Sequence, residues 1–126
     1  MRYSQRLVDH FLSPRNAGLM RDPDGTGEDE FAGCGDLARF FLRVAEGRVT
    51  EVRFQTYGCG PTIAAASAAS ELVTGWALET VLQLTPQDVE RALDGVPADR
   101  RHAADVVVGA LRAATLDAMK RRPADV

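Results

Sequence analysis

Four side chains in this sequence have the chemistry to bind a transition metal. Cys34 and Asp36 stand in a Gly-Cys-Gly-Asp run, Cys59 stands in Tyr-Gly-Cys-Gly-Pro, and His102 follows two arginines. Thiolates bind soft metal ions strongly, whereas carboxylate and imidazole are harder ligands that exchange more readily. Because 24 residues separate the only two cysteines, the spacing alone leaves a metal site and a pair of inert buried cysteines equally open.

Two runs of alternating apolar and polar residues predict the element that brings the cysteines together. The runs flank Glu46 and Gly47, a turn pair, and predict an antiparallel hairpin from about Leu37 to Tyr57. Cys34 precedes the first strand and Cys59 follows the second. Both thiols are therefore expected at the same end of the hairpin.

Cys59 is also expected at the start of a helix. Pro61 suits a first helical position, and the small residues from Ile63 to Thr74 are typical of a helix packed closely on its neighbours. The free N–H groups of such a helix end stabilise a thiolate and make it reactive. Glycines flank both cysteines and are expected to leave room around the sulfur atoms; they are Gly33, Gly35, Gly58 and Gly60.

The remaining segments are predicted to be mostly helical. The acidic, glycine-rich stretch from Gly18 to Gly33 is typical of a loop or a weak edge strand. Helical or apolar segments are predicted at Tyr3 to Leu12, Trp76 to Leu84, Thr85 to Gly95 and about Asp99 to Arg122. His10, near the end of the first helix, is interpreted as an ordinary polar residue. A small sheet followed by packed helices makes an α+β domain.

Composition narrows the classes of function. A chain of 126 residues, 45% hydrophobic and 26% charged, predicts a single globular domain over residues 1–126. A net charge of −3 argues against nucleic-acid binding. No apolar run approaches the ~20 residues of a membrane helix, which argues against a membrane partner. The start of the chain does not resemble a signal peptide, so we expect a cytoplasmic protein.

Several ordered motifs resemble one family, the iron–sulfur cluster assembly scaffolds of the IscU/NifU N-terminal type. They are the Tyr-Ser, Asp-His and Pro-Arg-Asn-x-Gly opening (Tyr3 to Gly18), the Cys-Gly-Asp segment (Gly25 to Asp36), and the Thr-x-Gly-Cys-Gly before a small-residue helix (Val52 to Gly75). The resemblance continues into the helix after His102 and covers nearly the whole chain.

The resemblance implies a fold and a function. The fold is a small three-stranded antiparallel sheet with an N-terminal helix and further helices packed on one face, and the acidic stretch before Cys34 supplies the edge strand. The protein would be a scaffold or carrier and not an enzyme. It would take sulfur from a cysteine desulfurase and iron from an iron donor, assemble a transient [2Fe–2S] cluster, and pass it to apo-proteins.

The resemblance also implies residue roles. Cys34, Asp36, Cys59 and His102 occupy the metal-ligand positions, and Cys59 and Cys34 are the candidate persulfide acceptors. Asp36 is the ligand expected to keep the cluster labile. Zn²⁺ is expected to fit the same four groups as a tetrahedral site.

Two departures from the family pattern bear on function. The family usually has a third cysteine directly after the histidine, where this chain has Ala103. The segment read by a dedicated chaperone is degraded here to Gly-Val-Pro-Ala-Asp-Arg-Arg (Gly95 to Arg101), which makes that partner doubtful. Two alternatives therefore stay open. One is a degenerate paralogue that binds a desulfurase or a single Zn²⁺ and regulates assembly; the weaker is a thiol redox enzyme with a Cys34–Cys59 disulfide.

Overall fold

The computed structural model describes residues 3–33 and 35–121, and these confirm the α+β class. The elements in chain order are α1 (Gln5–Leu12), β1 (Gly25–Phe31), β2 (Asp36–Ala45), β3 (Arg48–Tyr57), α2 (Gly60–Val73), α3 (Leu78–Val81), α4 (Pro86–Ala92), a 3₁₀ turn (Ala98–Arg100) and α5 (His102–Arg121). Within the described ranges, no helix is long and apolar enough to cross a bilayer.

The three strands form one antiparallel sheet in the order β1-β2-β3. The β2–β3 pair runs from Leu37 opposite Tyr57 to Ala45 opposite Arg48, which confirms the predicted hairpin and its turn. The strand β1 lies at the edge of the sheet, where the acidic stretch was expected, and its last residue, Phe31, pairs with Asp36. The end of β1, the start of β2 and the end of β3 therefore lie together at one end of the sheet.

The core lies between the sheet and the helices α2 and α5. Its largest fully buried side chains include Phe40 and Leu42 from β2 and Phe54 from β3. Five residues along one side of α5 are buried: Val107, Ala110, Leu111, Ala114 and Ala118. In the hairpin, Phe40, Leu42 and Phe54 are buried as the alternation predicts, but Phe41, which the alternation places on the opposite face, is buried as well.

Helix α5 packs directly on the backbone of β1. A Cβ atom built on Gly27 would lie 2.1 Å from the backbone nitrogen of Ala114, and one on Gly25 would lie 2.3 Å from the Ala114 oxygen. Real Cβ atoms do not approach other atoms so closely. The two glycines therefore allow α5, which carries His102 at its start, to lie against the sheet.

The segment from Trp76 to Leu84 is less helical than predicted, since only Leu78–Val81 forms a helix. Its first residues pair instead with the edge of β3, where the Val49 N–H donates to the Trp76 carbonyl at 2.9 Å and the Gly75 N–H donates to the Val49 carbonyl at 2.7 Å. This pairing uses the backbone groups that a longer helix would need.

The predicted last helix also differs at its start. Residues Ala98–Arg100 form a 3₁₀ turn and α5 begins only at His102. Pro97 precedes the turn with φ −54 and ψ 144, an extended conformation that starts the new element. Arg122, the predicted end of this helix, lies outside the described residues.

Candidate metal centre

Asp36 lies at the centre of the site. It is the first residue of β2, and only 2% of its surface is exposed. Its Oδ1 accepts a hydrogen bond from the backbone N–H of Cys59 at 3.0 Å, and its Oδ2 lies 2.5 Å from His102 Nε2 and 3.7 Å from Cys59 Sγ. One buried carboxylate thus contacts two other candidate ligands, Cys59 and His102.

Cys59 is held at the N-terminus of α2, as predicted. It is the N-cap residue, its carbonyl accepts from the Thr62 N–H at 3.1 Å, and its Sγ lies 3.3 Å from Thr62 Oγ1. The residue is partly exposed. A reagent from solvent can therefore reach Cys59 at the positive end of the α2 dipole.

Glycine is required at position 58 for a more specific reason than clearance around the sulfur. Its φ is +131, and a Cβ built there would lie 1.8 Å from Asp36 Oδ1. The space next to Gly58 is occupied by the Asp36 carboxylate, which accepts the hydrogen bond from the Cys59 N–H. Only glycine allows Asp36 to reach that amide.

His102 opens α5 and presents its imidazole to Asp36 from the helix side. The ring also contacts Phe31, whose aromatic ring stacks on it with centroids 4.7 Å apart and planes inclined by 22°. Phe31 was not predicted as part of the site, because nothing in a strand pattern shows that its last residue reaches a helix 71 positions away.

The ligand atoms of Asp36, Cys59 and His102 lie within 4.8 Å of one another. Zinc–ligand distances of about 2.0–2.3 Å place tetrahedral ligand atoms well under 4 Å apart, so small side-chain movements would bring one sulfur, one oxygen and one nitrogen onto one metal ion. Cys34, the fourth predicted ligand, lies outside the described residues, and its place in the site stays a prediction.

A cation also lies near Cys59. The Arg100 guanidinium, in the 3₁₀ turn just before His102, is hydrogen-bonded to the Tyr3 hydroxyl; this bond and, after it, the negative charge of Asp99 raise the pKa of Arg100, with a smaller contribution from the Cys59 side chain. Neither Tyr3 nor Arg100 was predicted as part of the site. Arg100 keeps its charge at every physiological pH, so the site has a permanent cation near Cys59.

Position 103 contributes no ligand. Ala103 is fully buried and belongs to the hydrophobic core. The described part of the site therefore offers a single thiolate, from Cys59, together with carboxylate and imidazole.

Fold and site define a class: a small α+β protein with a mixed thiolate, carboxylate and imidazole site at one end of its sheet. The chain belongs to the family of the NifU-like N terminal domain, whose model matches residues 2–125. This confirms the family resemblance and, with it, that the protein is of the scaffold type and not an enzyme.

Similarity to scaffold proteins from an archaeon and a bacterium supports this family membership. The chain is 37% identical over 119 residues to iron–sulfur cluster assembly scaffold protein IscU 1 of Archaeoglobus fulgidus, covering 94% of this chain and 78% of the relative. It is 33% identical over 128 residues to the IscU scaffold of Escherichia coli K12, covering 98% and 99% of the two chains.

Solved structures share the fold. FiSufU from Fervidobacterium islandicum matches with a TM-score of 0.72 at 13% identity, covering 92% of this chain and 96% of that one. The N-terminal part of a NifU-like protein from Brucella abortus matches with a TM-score of 0.61 at 20% identity, covering 96% and 81%.

Proposed function

We propose that this chain assembles a transient [2Fe–2S] cluster in the cytoplasm and passes it to apo-proteins, with a cysteine desulfurase and an iron donor as its suppliers. The observation that supports this most is the convergence of Asp36, Cys59 and His102 from three elements on one point, in a member of a scaffold family. Iron and sulfide are here the cargo of the protein.

Cys59 is the sulfur acceptor in this proposal, with Cys34 as the second candidate. The Cys59 thiolate attacks the terminal sulfur of the desulfurase persulfide, forms a new S–S bond and releases the desulfurase cysteine as a thiolate. The attacking sulfur lies at the N-terminus of α2, 3.3 Å from the Thr62 hydroxyl oxygen and near the Arg100 cation. Because positions 58 and 60 are glycines, neither neighbour places a side chain beside the sulfur.

Asp36 and His102 complete the ligand set with Cys34 and Cys59. Carboxylate oxygen is a hard ligand and imidazole an intermediate one, and both exchange more readily than thiolate. A carrier needs such ligands because its cluster must leave. The hydrogen bonds of Asp36 to Cys59 and His102 keep it in place before iron arrives.

Anaerobic reconstitution with ferrous iron and sulfide tests the proposal. We expect sulfur-to-iron charge-transfer absorption in the wild type, its loss in Cys59→Ala and Cys34→Ala, and its weakening in His102→Ala. Asp29→Ala, which removes an exposed carboxylate from β1, is the control and should leave the absorption unchanged. A wild-type protein that stays colourless after reconstitution would overturn the proposal.

A second candidate function is regulation by a degenerate paralogue that holds one Zn²⁺ or binds a desulfurase without building clusters. It is favoured by Ala103, which places a buried methyl group at the position where the family resemblance implies a third cysteine. Metal analysis of the purified protein and a desulfurase assay with and without it separate the two. Zinc without a cluster, together with a changed desulfurase rate, would favour regulation.

A further inference from the structure

Phe31 is an apolar side chain in an unexpected place. It ends β1, and 41% of its surface is exposed, although the other residues at the end of this strand are acidic. It is paired across the sheet with Asp36, so the two side chains project from the same face. Phe31 therefore stands directly beside the carboxylate at the centre of the site.

The ring of Phe31 covers one face of the His102 imidazole. The centroid separation of 4.7 Å and the 22° inclination are those of an offset aromatic stack. A Cβ built on Gly33 would lie 3.2 Å from the Phe31 ring, so that glycine leaves the ring its space. The local sequence is thus compatible with this one ring position.

Stacking and hydrogen bonding constrain the imidazole in different ways. The second side-chain torsion of histidine is broad and roughly two-fold, so the backbone of α5 does not fix the ring plane. A stacked ring fixes the plane, and the contact between Nε2 and Asp36 Oδ2 selects which edge faces the site. A metal ligand needs both, because the nitrogen lone pair lies in the ring plane and must point at the ion.

We propose that Phe31 is a positioning residue for His102 and thereby sets how tightly the site holds a metal ion. This inference rests on the proposed function, since it concerns Asp36, Cys59 and His102, three of the four ligands proposed there. Phe31 supplies no ligand atom itself. It keeps the imidazole plane aligned with Cys59 and Asp36 before the ion binds.

Titration with Co²⁺, followed by its visible absorption, tests the inference. We expect Phe31→Leu, which keeps an apolar side chain but removes the ring, to bind Co²⁺ about 2- to 10-fold more weakly, the range that an aromatic pair contributes. Phe31→Tyr should restore wild-type affinity. Leu116→Ala is the control. Like Phe31, Leu116 is an exposed apolar side chain, but it lies on α5 about four turns away from His102.

A second measurement separates this inference from the proposed function. In the metal-free protein, the ring-proton resonances of His102 should move downfield in Phe31→Leu, as the ring-current shift is lost, and should return in Phe31→Tyr. If the wild type binds no Co²⁺, the proposed function fails, and these resonances alone decide whether Phe31 positions His102. Wild-type Co²⁺ affinity in Phe31→Leu, or unchanged His102 resonances, would overturn the inference.

Discussion

Asp36 determines the character of the site through one buried carboxylate. Its Oδ1 is committed to the Cys59 amide, and its Oδ2 faces both the His102 nitrogen and the Cys59 sulfur. Burial of a carboxylate costs free energy unless the group is paired and hydrogen-bonded, and Asp36 has such partners in the Cys59 amide and the His102 imidazole. Its geometry suits a ligand that also aligns its two neighbours.

The substitution Asp36→Asn separates these two roles. The amide oxygen can still accept from the Cys59 N–H, but the anionic ligand is gone, so we expect at least about tenfold weaker Zn²⁺ binding with the fold retained, because hard cations and borderline ions prefer an anionic oxygen. Competition with a chromophoric chelator measures the affinity. Glu30→Gln, an exposed change on β1, serves as the matched control.

Wild-type zinc affinity in Asp36→Asn would show that Asp36 only orients Cys59 and His102. An equal loss in Glu30→Gln would instead show that the effect is one of overall charge. Circular dichroism of both variants establishes that each comparison is between folded proteins.

At the scale of elements, the contact of α5 with β1 joins the two parts of the site. The strand β1 ends at Phe31 and α5 begins at His102, while Gly25 and Gly27 lie beneath Ala114 and Ala118 of α5. Because the stacked pair is carried by these two elements, their separation determines whether the rings meet.

Gly27→Ala tests this dependence. The new methyl would lie 2.1 Å from the Ala114 nitrogen and 2.5 Å from the Ala113 carbonyl carbon, both backbone atoms that cannot rotate away. We expect α5 to move outward and the free energy of unfolding to fall by about 1–3 kcal/mol, as in other overpacked cores. Urea denaturation measures the loss, and the His102 resonances should shift with it.

Glu28→Ala, one residue away on the exposed side of β1, is the control. It removes a surface ion pair with Arg39, an interaction that contributes about 0–1 kcal/mol, so it should change stability little. Stability of Gly27→Ala equal to that of the wild type would mean that α5 does not depend on this close approach.

The same elements show how much of the structure the sequence could reveal. The β2–β3 hairpin was predicted correctly because apolar residues alternate with mostly polar ones along both strands, with Phe41 the exception in β2. The edge strand β1 has no such signal, since its buried positions are Gly25 and Gly27, which carry no side chain to read. The composition of this stretch left a loop and a weak edge strand open, and only the family resemblance favoured the strand.

For the site, hairpin topology and family resemblance placed Asp36, Cys59 and His102 together, and the structure brings these three within contact. The Phe31 stack and the Tyr3–Arg100 bond were missed because both join residues far apart in sequence. Tertiary contacts of single side chains leave no periodic signal.

At the scale of the whole molecule, His10 connects three parts of the fold, although the sequence suggested an ordinary polar residue. It is buried, and its Nδ1 lies 2.7 Å from Ser67 Oγ in α2; the same Oγ accepts from the Arg15 N–H at 2.8 Å in the loop after α1. The serines of α2 therefore do more than allow close packing. They bind the loop that follows the first helix.

Burial of His10 makes the stability of the protein depend on pH. Burial, and after it the charge of Arg15, lowers the pKa of His10 below its usual value of 6.5, while Glu71 and Asp9 oppose the shift in part. The folded state then binds a proton less readily than the unfolded chain. The contribution of neutral His10 to the free energy of unfolding is fully present above the unfolded pKa. It is lost as the pH drops through about 6.5 toward the lower pKa of the folded state.

We therefore expect the urea midpoint of the wild type to fall between pH 7.5 and pH 5.5 more steeply than that of His10→Asn. Asparagine can hydrogen-bond to Ser67 from a position close to that of Nδ1 but does not titrate, so the difference between the two slopes isolates the histidine. Carboxylates such as Asp9 titrate lower and are common to both proteins. Parallel slopes, or a wild type that gains stability on acidification, would contradict the assignment of His10 as a buried neutral link between α1 and α2.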